Sequence, residues 1–125
     1  MNGNRFLLDT NIILYLIANR VNINNLPDGE FLISFITELE LLSYPSISKI
    51  DEEKIKKFLK EIPIINIDQN IKNKTIEFRK KYKLKLPDAI IAATTFEFNV
   101  ILITNDETIK TVKEIYVKSV DLKNN

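Results

Sequence analysis

Residues 5–20 read RFLLDTNIILYLIANR, and they contain the first strand-like and the first helix-like segment of the chain. The stretch begins with an apolar run, Arg5–Leu8, that predicts a short buried strand. After an aspartate it continues into a helix predicted over Asn11–Arg20, which is apolar on nearly every face. Short strand-like runs and longer helical segments alternate in the same way along the rest of the chain. This alternation predicts an α/β fold with a mainly parallel sheet.

The remaining elements follow from the same patterns. The predicted strands are Glu30–Phe35, Pro63–Ile67, Val100–Ile103 and an edge strand at Ile115–Val117. The predicted helices are Thr37–Ser43, Asp51–Glu61, Gln69–Lys81, Pro87–Phe98 and Glu107–Lys113. We expect Asn99 to end the fourth of these helices, because asparagine tolerates the left-handed conformation of a helix cap.

Composition places the chain among ordinary folded proteins. Its 125 residues fit one domain, residues 1–125, and 45% apolar with 28% charged residues is far from the signature of disorder. The net charge of +1 gives no argument for a general binder of nucleic acid or membranes. Recognition of a charged partner must therefore come from local clusters of charged residues. The longest apolar run, Ile12–Ala18, is far short of the ~20 residues that span a bilayer. Without a leader pattern at the start, we expect a cytoplasmic protein with no membrane contact.

Missing residue types exclude several kinds of chemistry. The chain has no Cys and no His, which excludes disulfides, thiolate nucleophiles, imidazole-based triads and most transition-metal sites. The two glycines, Gly3 and Gly29, cannot form a P-loop or a GxGxxG turn. Carboxylate, hydroxyl, amide and amine groups remain, and these favour hard metals such as Mg²⁺ or Mn²⁺.

Four acidic residues stand where a metal site is expected. Asp9 follows the first predicted strand, Glu40 lies in the first turn after the second, and Asp106 comes just past the fourth. Ligands of an open parallel sheet bind outside the carboxyl ends of its strands, so we expect these three acids at one rim. Asp88 opens the Pro87–Phe98 helix and joins them if that helix begins at the crevice.

Such a group of carboxylates predicts a specific chemistry. Gathered carboxylates repel one another, and a divalent cation relieves the repulsion. Oxygen-only ligands in a partly open site suit Mg²⁺ or Mn²⁺, which retain several waters and bridge to phosphate oxygens. Such a site can activate a water for in-line attack on a phosphodiester without an imidazole. The sequence therefore favours metal-assisted phosphodiester hydrolysis.

Each acid also has a structural alternative. Asp9 can cap the helix that follows it, Asp88 is a favoured first-turn acid, and Thr37 with Glu40 fits a capping box. Four independent caps have no reason to meet at one end of the sheet, so the metal site is preferred. Glu38 competes with Glu40, but at ~100° per residue it projects about 160° away from Glu40 around the helix.

Two polar neighbours are predicted to support the acids. Asn11 can hold the Asp9 carboxylate or a metal-bound water, and Thr104 can hydrogen-bond Asp106 or a phosphate oxygen. The alternatives stay open: an ordinary helix-start residue for Asn11, and for Thr104 a capping box with Glu107.

At these residues the sequence resembles the PIN-domain nucleases, and within them the VapC-type toxins of type II toxin–antitoxin pairs. The matching stretches run in family order over essentially the whole chain: LLDTNIILYL from Leu7, SFITELELLSYP from Ser34, LPDAIIAAT from Leu86 and LITND from Leu102. The first and third stretches are the most specific.

The resemblance implies an α/β/α sandwich and a metal-dependent endoribonuclease that uses Mg²⁺ or Mn²⁺. Its catalytic and metal-binding quartet maps onto Asp9, Glu40, Asp88 and Asp106. A Ser or Thr is expected beside the fourth acid, which Thr104 matches. The resemblance also implies a homodimer that a small antitoxin protein binds and silences.

Local charge and apolarity suit both implied partners. Residues 72–85 hold seven basic residues against the single acid Glu77, a local charge of +6 that leads to Asp88. Flanking cations offset the repulsion between an RNA backbone and an acidic site, so Lys81, Lys83 and Lys85 are the predicted RNA contacts. A solvated helix face is the alternative for each lysine. The apolar excess of residues 12–18 suits a dimer or antitoxin surface.

Two other functions fit the fold. A phosphoacceptor receiver domain would use Asp68, after the third strand. A receiver also has paired acids after its first strand, whereas here Asp9 is followed by Thr10 and Asn11. Asp68 also fits the N-cap of the Gln69–Lys81 helix. A PIN-fold module that binds RNA or protein without cleaving is the third possibility, and the intact quartet argues against it.

Overall fold

The computed structural model describes residues 4–45 and 47–123. In these residues the strands are β1 (Arg5–Leu8), β2 (Glu30–Ser34), β3 (Ile64–Ile65), β4 (Ile101–Ile103) and β5 (Tyr116–Lys118). The helices are α1 (Thr10–Ile17), α2 (Phe35–Leu42), α3 (Lys49–Glu61), α4 (Gln69–Lys81) and α5 (Leu86–Glu97), with short 3-10 helices at Ile23–Asn25 and Ile109–Thr111. The strands form one sheet in the order β3-β2-β1-β4-β5, and every neighbouring pair is parallel.

Alternating side chains of the sheet supply two apolar layers. Phe6 and Leu8 of β1 pack on one face, in a cluster that includes Ile12 of α1 and Ile55 of α3. Leu7, between them, points to the other face, in a cluster that includes Ile91 of α5. This reversal at each residue is the two-residue period of a strand.

Helix α4 joins the second layer by packing on α5. Ile71 and Phe78 of α4 are buried together with Ala89 and Ala92 of α5, whose small side chains allow the close approach of the two helices. Helices therefore cover both faces of a parallel sheet, and the predicted three-layer α/β/α sandwich is confirmed.

Several predicted elements match closely. The bounds of β1 and α4 are those predicted, and Asn99 adopts the left-handed conformation, with a φ of 51°, just after α5. At the end of α1, Asn19 also turns left-handed, with a φ of 58°, so that this helix ends at Ile17 rather than Arg20.

The start of α2 corrects the predicted capping box. Helix α2 begins at Phe35 instead of Thr37, and the strand before it ends at Ser34. The Ser34 hydroxyl accepts a hydrogen bond from the Ile36 backbone N–H at 3.2 Å and so caps the helix. Thr37 is therefore fully buried inside the first turns, and its predicted role as the cap paired with Glu40 is wrong.

The helix predicted at Glu107–Lys113 is also wrong. The structure has one 3-10 turn there, Ile109–Thr111. The capping box of Thr104 with Glu107 does not form, because Asp106 takes the exposed N–H groups of Thr108 at 2.8 Å and of Ile109 at 3.0 Å. An aspartate that bonds the backbone two and three residues on favours a turn over a regular helix.

None of the helices in the described residues is both long enough and apolar enough to cross a membrane.

Gly29 supports the entry into β2 and gives a stability prediction. Its φ is +154°, and an added Cβ would lie 2.4 Å from the Asn4 carbonyl oxygen and 2.7 Å from the Phe6 ring. We expect Gly29→Ala to lower the free energy of unfolding by about 2 kcal/mol or more, measured by urea denaturation. Asp28→Ala, at the exposed preceding residue, should change it by less than about 0.5 kcal/mol. Equal stability of the two variants would contradict this role of Gly29.

Candidate metal centre

Asp9 is held at the carboxyl end of the central strand β1. Its backbone N–H donates to the Ile103 carbonyl at 3.0 Å, which continues the ladder between β1 and β4. Its side chain is 6% exposed and accepts two hydrogen bonds, from the Thr10 backbone N–H at 2.8 Å and from the Thr104 hydroxyl at 2.5 Å. Asp9 is also the N-cap of α1, so the structural role predicted for it is present as well.

Burial raises the pKa of Asp9 above its ordinary value, because desolvation disfavours the charged form. The hydrogen bonds from Thr104 and Thr10 oppose this rise, and the negative charges of Asp106 and Glu40 add to it. Asp106 and Glu40 are therefore both within electrostatic reach of Asp9.

Glu40 is tied to the same place through Thr10. The Thr10 hydroxyl lies 2.6 Å from Glu40 Oε1 and 3.0 Å from the Thr37 hydroxyl. A hydroxyl has one proton and a carboxylate only accepts, so Thr10 donates to Glu40 and accepts from Thr37. Both threonines are buried. This chain of hydrogen bonds fixes a carboxylate of α2 next to the start of α1.

Asp106 is ordered by the turn that follows β4. Its Oδ1 accepts the two backbone N–H groups of Thr108 and Ile109, and its own N–H donates to the Thr104 hydroxyl at 3.0 Å. Thr104 thus contacts Asp106 through the backbone, while its proton goes to the carboxylate of Asp9, not of Asp106.

Asp88 lies in the first turn of α5, behind Pro87. Its pKa is raised to about 6, first by partial burial and then by the charges of Asp106, Asp9 and Glu40, while Lys85 lowers it. Helix α5 therefore begins near the other three acids, which was the condition for Asp88 to join them. Across residues 4–45 and 47–123, however, no three acidic side chains already stand close enough together to hold a metal ion.

Among the described residues, two others singled out in the sequence do not contact the four acids through hydrogen bonds. Asn11 is exposed and is not a hydrogen-bond partner of Asp9 in the described part of the chain. Asp68 caps α4 by accepting the Ile71 N–H at 2.8 Å, as the structural alternative to a phosphoacceptor predicted. Sequence reasoning missed Thr10, which holds both Asp9 and Glu40. The sequence contained a signal for this role, because a hydroxyl residue directly follows Asp9 at the start of the apolar helix α1.

The predicted RNA contacts separate into two groups. The Lys81 ammonium pairs with Glu114 at 2.8 Å, and this contact raises the pKa of Lys81. Lys83 and Lys85 line an open cleft beside the start of α5.

The raised pKa of Asp88 predicts a gain of stability when its charge is removed. The folded protein binds this proton more tightly than the unfolded chain, so stability is lost as the pH rises from about 4 through about 6. With EDTA at pH 7.5, Asp88→Asn should raise the melting temperature by a few degrees, or about 1 kcal/mol, since Asp88 is half-exposed and solvent screens it. The gain should vanish near pH 4, and the exposed control Asp121→Asn should show none. An equal gain at both pH values would contradict the charge repulsion.

Comparison with known proteins places this site in a family. The model of the PIN domain matches residues 6–115. A chain of a toxin–antitoxin complex from Klebsiella pneumoniae is 31% identical, with a TM-score of 0.72, over 90% of this chain and 94% of that one. A chain of VapBC2 from Rickettsia felis, solved bound to a DNA fragment of its promoter, is 23% identical with a TM-score of 0.81 over 94% and 99%.

DNA-bound VapBC from Salmonella typhimurium gives 20% identity and a TM-score of 0.76 over 93% of this chain and 98% of that chain. No curated protein matches the sequence. The family model confirms the PIN-domain resemblance stated from the motifs, and the VapBC structures have the same fold. The chain belongs to the PIN domain family.

Proposed function

We propose that this protein is a metal-dependent endoribonuclease and the toxin component of a toxin–antitoxin pair. One observation carries the proposal: at the carboxyl edge of the sheet, the negative charges of Asp106 and Glu40 help to raise the pKa of both Asp9 and Asp88, although these four acids come from distant parts of the chain. Repulsion between these charges lowers the stability of the folded protein. Such a cost is typical of functional sites, and binding of a cation would relieve the repulsion. The toxin–antitoxin relatives support the cellular role.

The residues fit Mg²⁺ or Mn²⁺ by their chemistry. Asp9, Glu40, Asp88 and Asp106 would hold the ion, and all their donor atoms are the carboxylate oxygens that these hard cations prefer. In the described residues, neither Asp88 nor Oδ2 of Asp106 accepts a hydrogen bond, so these oxygens remain free to bind. When bound, the ion would promote deprotonation of water near neutral pH and offset negative charge on the phosphate.

The chain itself supplies orientation and positioning. Thr104 fixes the Asp9 carboxylate, Thr10 fixes Glu40, and two backbone N–H groups fix Asp106. Carboxylates with restricted rotamers lose little entropy when they bind an ion, and groups that orient ligands in this way commonly contribute 10–100-fold in affinity or activity. Asp88 faces the same charges from α5 and completes the set.

RNA cleavage is the direct test. With Mg²⁺ or Mn²⁺, the antitoxin-free protein should cleave single-stranded or structured RNA, and Asp9→Asn or Asp88→Asn should reduce the rate at least ~100-fold. Thr104→Val, which removes the hydrogen bond to Asp9, should cost about 10-fold or more.

The matched control is Glu38→Gln, which removes a carboxylate from the same helix as Glu40 but from another face, and should keep the wild-type rate. Cleavage that persists in Asp9→Asn and Asp88→Asn, or in EDTA, would refute the mechanism. Stable RNA binding without any cleavage would favour a non-cleaving module instead.

The proposed antitoxin site is a groove beside α1. Leu14, Tyr15 and Ile17 are half-buried and border a cavity of about 560 Å³ with Tyr44 and Ile47. A second cavity of about 270 Å³ shares Leu14 and Tyr44 with the first and reaches Glu40. The apolar excess of α1 thus faces a continuous groove that ends at the acidic site. A protein segment bound there would both bury apolar surface and block the acids.

Leu14→Lys tests this groove, with the product of an adjacent short reading frame as the antitoxin. The variant should cleave RNA at the wild-type rate but resist inhibition by at least ~10-fold in antitoxin concentration, since a lysine cannot fill the apolar groove. Ile23→Lys, at a residue 72% exposed and outside the groove, should remain inhibited. Full inhibition of Leu14→Lys would place the antitoxin elsewhere.

We also propose a homodimer, a cytoplasmic location and a single domain over residues 1–125. Exposed apolar side chains at Leu42 and Ile50, 53% and 70% exposed, support an interface between protein chains. One five-stranded sheet joins strands from Arg5 to Lys118, which supports a single domain. Without cysteine the chain cannot form a disulfide, so its composition contains no sign of an oxidising compartment.

A further inference from the structure

The last turn of α4 and the segment that leads into α5 border an open cleft of about 610 Å³. Among the described residues, its walls carry four cations and no acid. The lining residues are Ile76, Arg79, Lys80, Lys83, Leu84 and Lys85. Ile76, Arg79 and Lys80 lie within about one turn of one another on α4, so they present a common face.

The segment between the two helices aims its lysines at this cleft. The backbone turns tightly at Lys83, because the Leu84 N–H donates to the Tyr82 carbonyl at 2.9 Å, and both Lys83 and Lys85 are exposed. Tyr82 is anchored by donating its hydroxyl proton to Glu114 at 2.5 Å, and Leu84 is 5% exposed. With Tyr82 and Leu84 directed into the protein, Lys83 and Lys85 are directed outward.

The cleft cations are available to a ligand. Lys81 and Lys74, on the same helix, are already paired with Glu114 at 2.8 Å and Glu77 at 3.2 Å. In the part of the chain that the structure describes, no carboxylate forms an ion pair with any of the four cleft cations. Four unpaired positive charges around one concave surface create a strong local potential, although the whole chain carries only +1.

The cleft adjoins the acidic site. Lys85 immediately precedes α5, three positions before Asp88, and it is close enough to lower the pKa of Asp88. A polyanion that approaches four carboxylates is repelled unless cations flank its path. The cations of this cleft stand on such a path.

We propose that this cleft binds the phosphate backbone of the substrate RNA on one side of the cleaved phosphate. The inference deepens the proposed nuclease function and rests on it for the identity of the ligand. A single-stranded RNA fits better than an acidic peptide. Its phosphates recur along the strand, so one strand can place phosphates in the cleft and the cleaved phosphate at the four acids. Arg79, Lys80, Lys83 and Lys85 are thus substrate-positioning residues.

The test measures binding without cleavage. A fluorescein-labelled 12-nucleotide single-stranded RNA is titrated in EDTA with the full chain carrying Asp88→Asn, over a range of NaCl concentrations. Adding Lys80→Gln and Lys83→Gln should weaken RNA binding about 10-fold at low salt. It should also reduce the slope of log K against log salt by about 1.4, or about 0.7 for each phosphate that the protein no longer neutralises.

The matched control is Lys54→Gln with Lys57→Gln, which removes the same charge from α3 on the opposite face of the sheet. This control should change the slope little.

A second readout uses cleavage by the protein with Asp88 intact. The cleft variant should raise KM about 10-fold while kcat changes less than about 3-fold, because the lysines bind the strand and do not touch the reacting atoms. Equal effects of the cleft and control variants would overturn the proposal and leave the nuclease intact. Loss of poly-glutamate binding with unchanged RNA binding would overturn it in favour of an acidic protein ligand. RNA binding that depends on the cleft in a protein that never cleaves would support the cleft and refute the nuclease.

Discussion

The hydrogen bond from the Thr104 hydroxyl to Asp9 joins two residues 95 positions apart, and the acidic site depends on it. It exists because β1 and β4 are parallel neighbours at the centre of the sheet, so that both strands end at the same edge. The backbone bond from Asp9 to Ile103 sets the distance between the two strand ends, and the hydroxyl then fixes the carboxylate. Without this pairing, the Asp9 carboxylate would keep only its hydrogen bond from the Thr10 N–H.

The site works against the stability of the fold. Burial and mutual repulsion raise the pKa of Asp9 and Asp88, so the charged forms are held at a cost. The Thr104 hydroxyl donates to Asp9 and the Thr10 hydroxyl to Glu40, but neither hydroxyl neutralises a negative charge. The nearby positive charge belongs to other residues, which are Lys85 and the other cations of the cleft between α4 and α5. Opposed charges on adjoining surfaces are what a polyanionic substrate and a bound cation both require.

Local rules explain which elements were predicted well. Helix α4 was bounded correctly because Asp68 caps it and its last turn is basic, two signals that reside in the sequence itself. Helix α2 and the 107–113 segment were misplaced because several polar side chains competed to cap one N-terminus. Ser34 prevailed over Thr37, and Asp106 over Thr104, since strand pairing fixed where each strand ended and which hydroxyl stayed buried.

Residue types and their spacing alone establish the order of the strands, the exclusion of thiol and imidazole chemistry, and which acids follow which strands. Those properties depend on residue type and spacing, and neither changes with folding. Long-range packing sets what each polar side chain touches: the Thr104 hydroxyl donates to the carboxylate of Asp9 and not to that of Asp106, Thr10 holds Glu40, and Lys81 pairs with Glu114. Each of these contacts joins residues 30 or more positions apart, and only packing of the layers brings such residues within hydrogen-bonding distance.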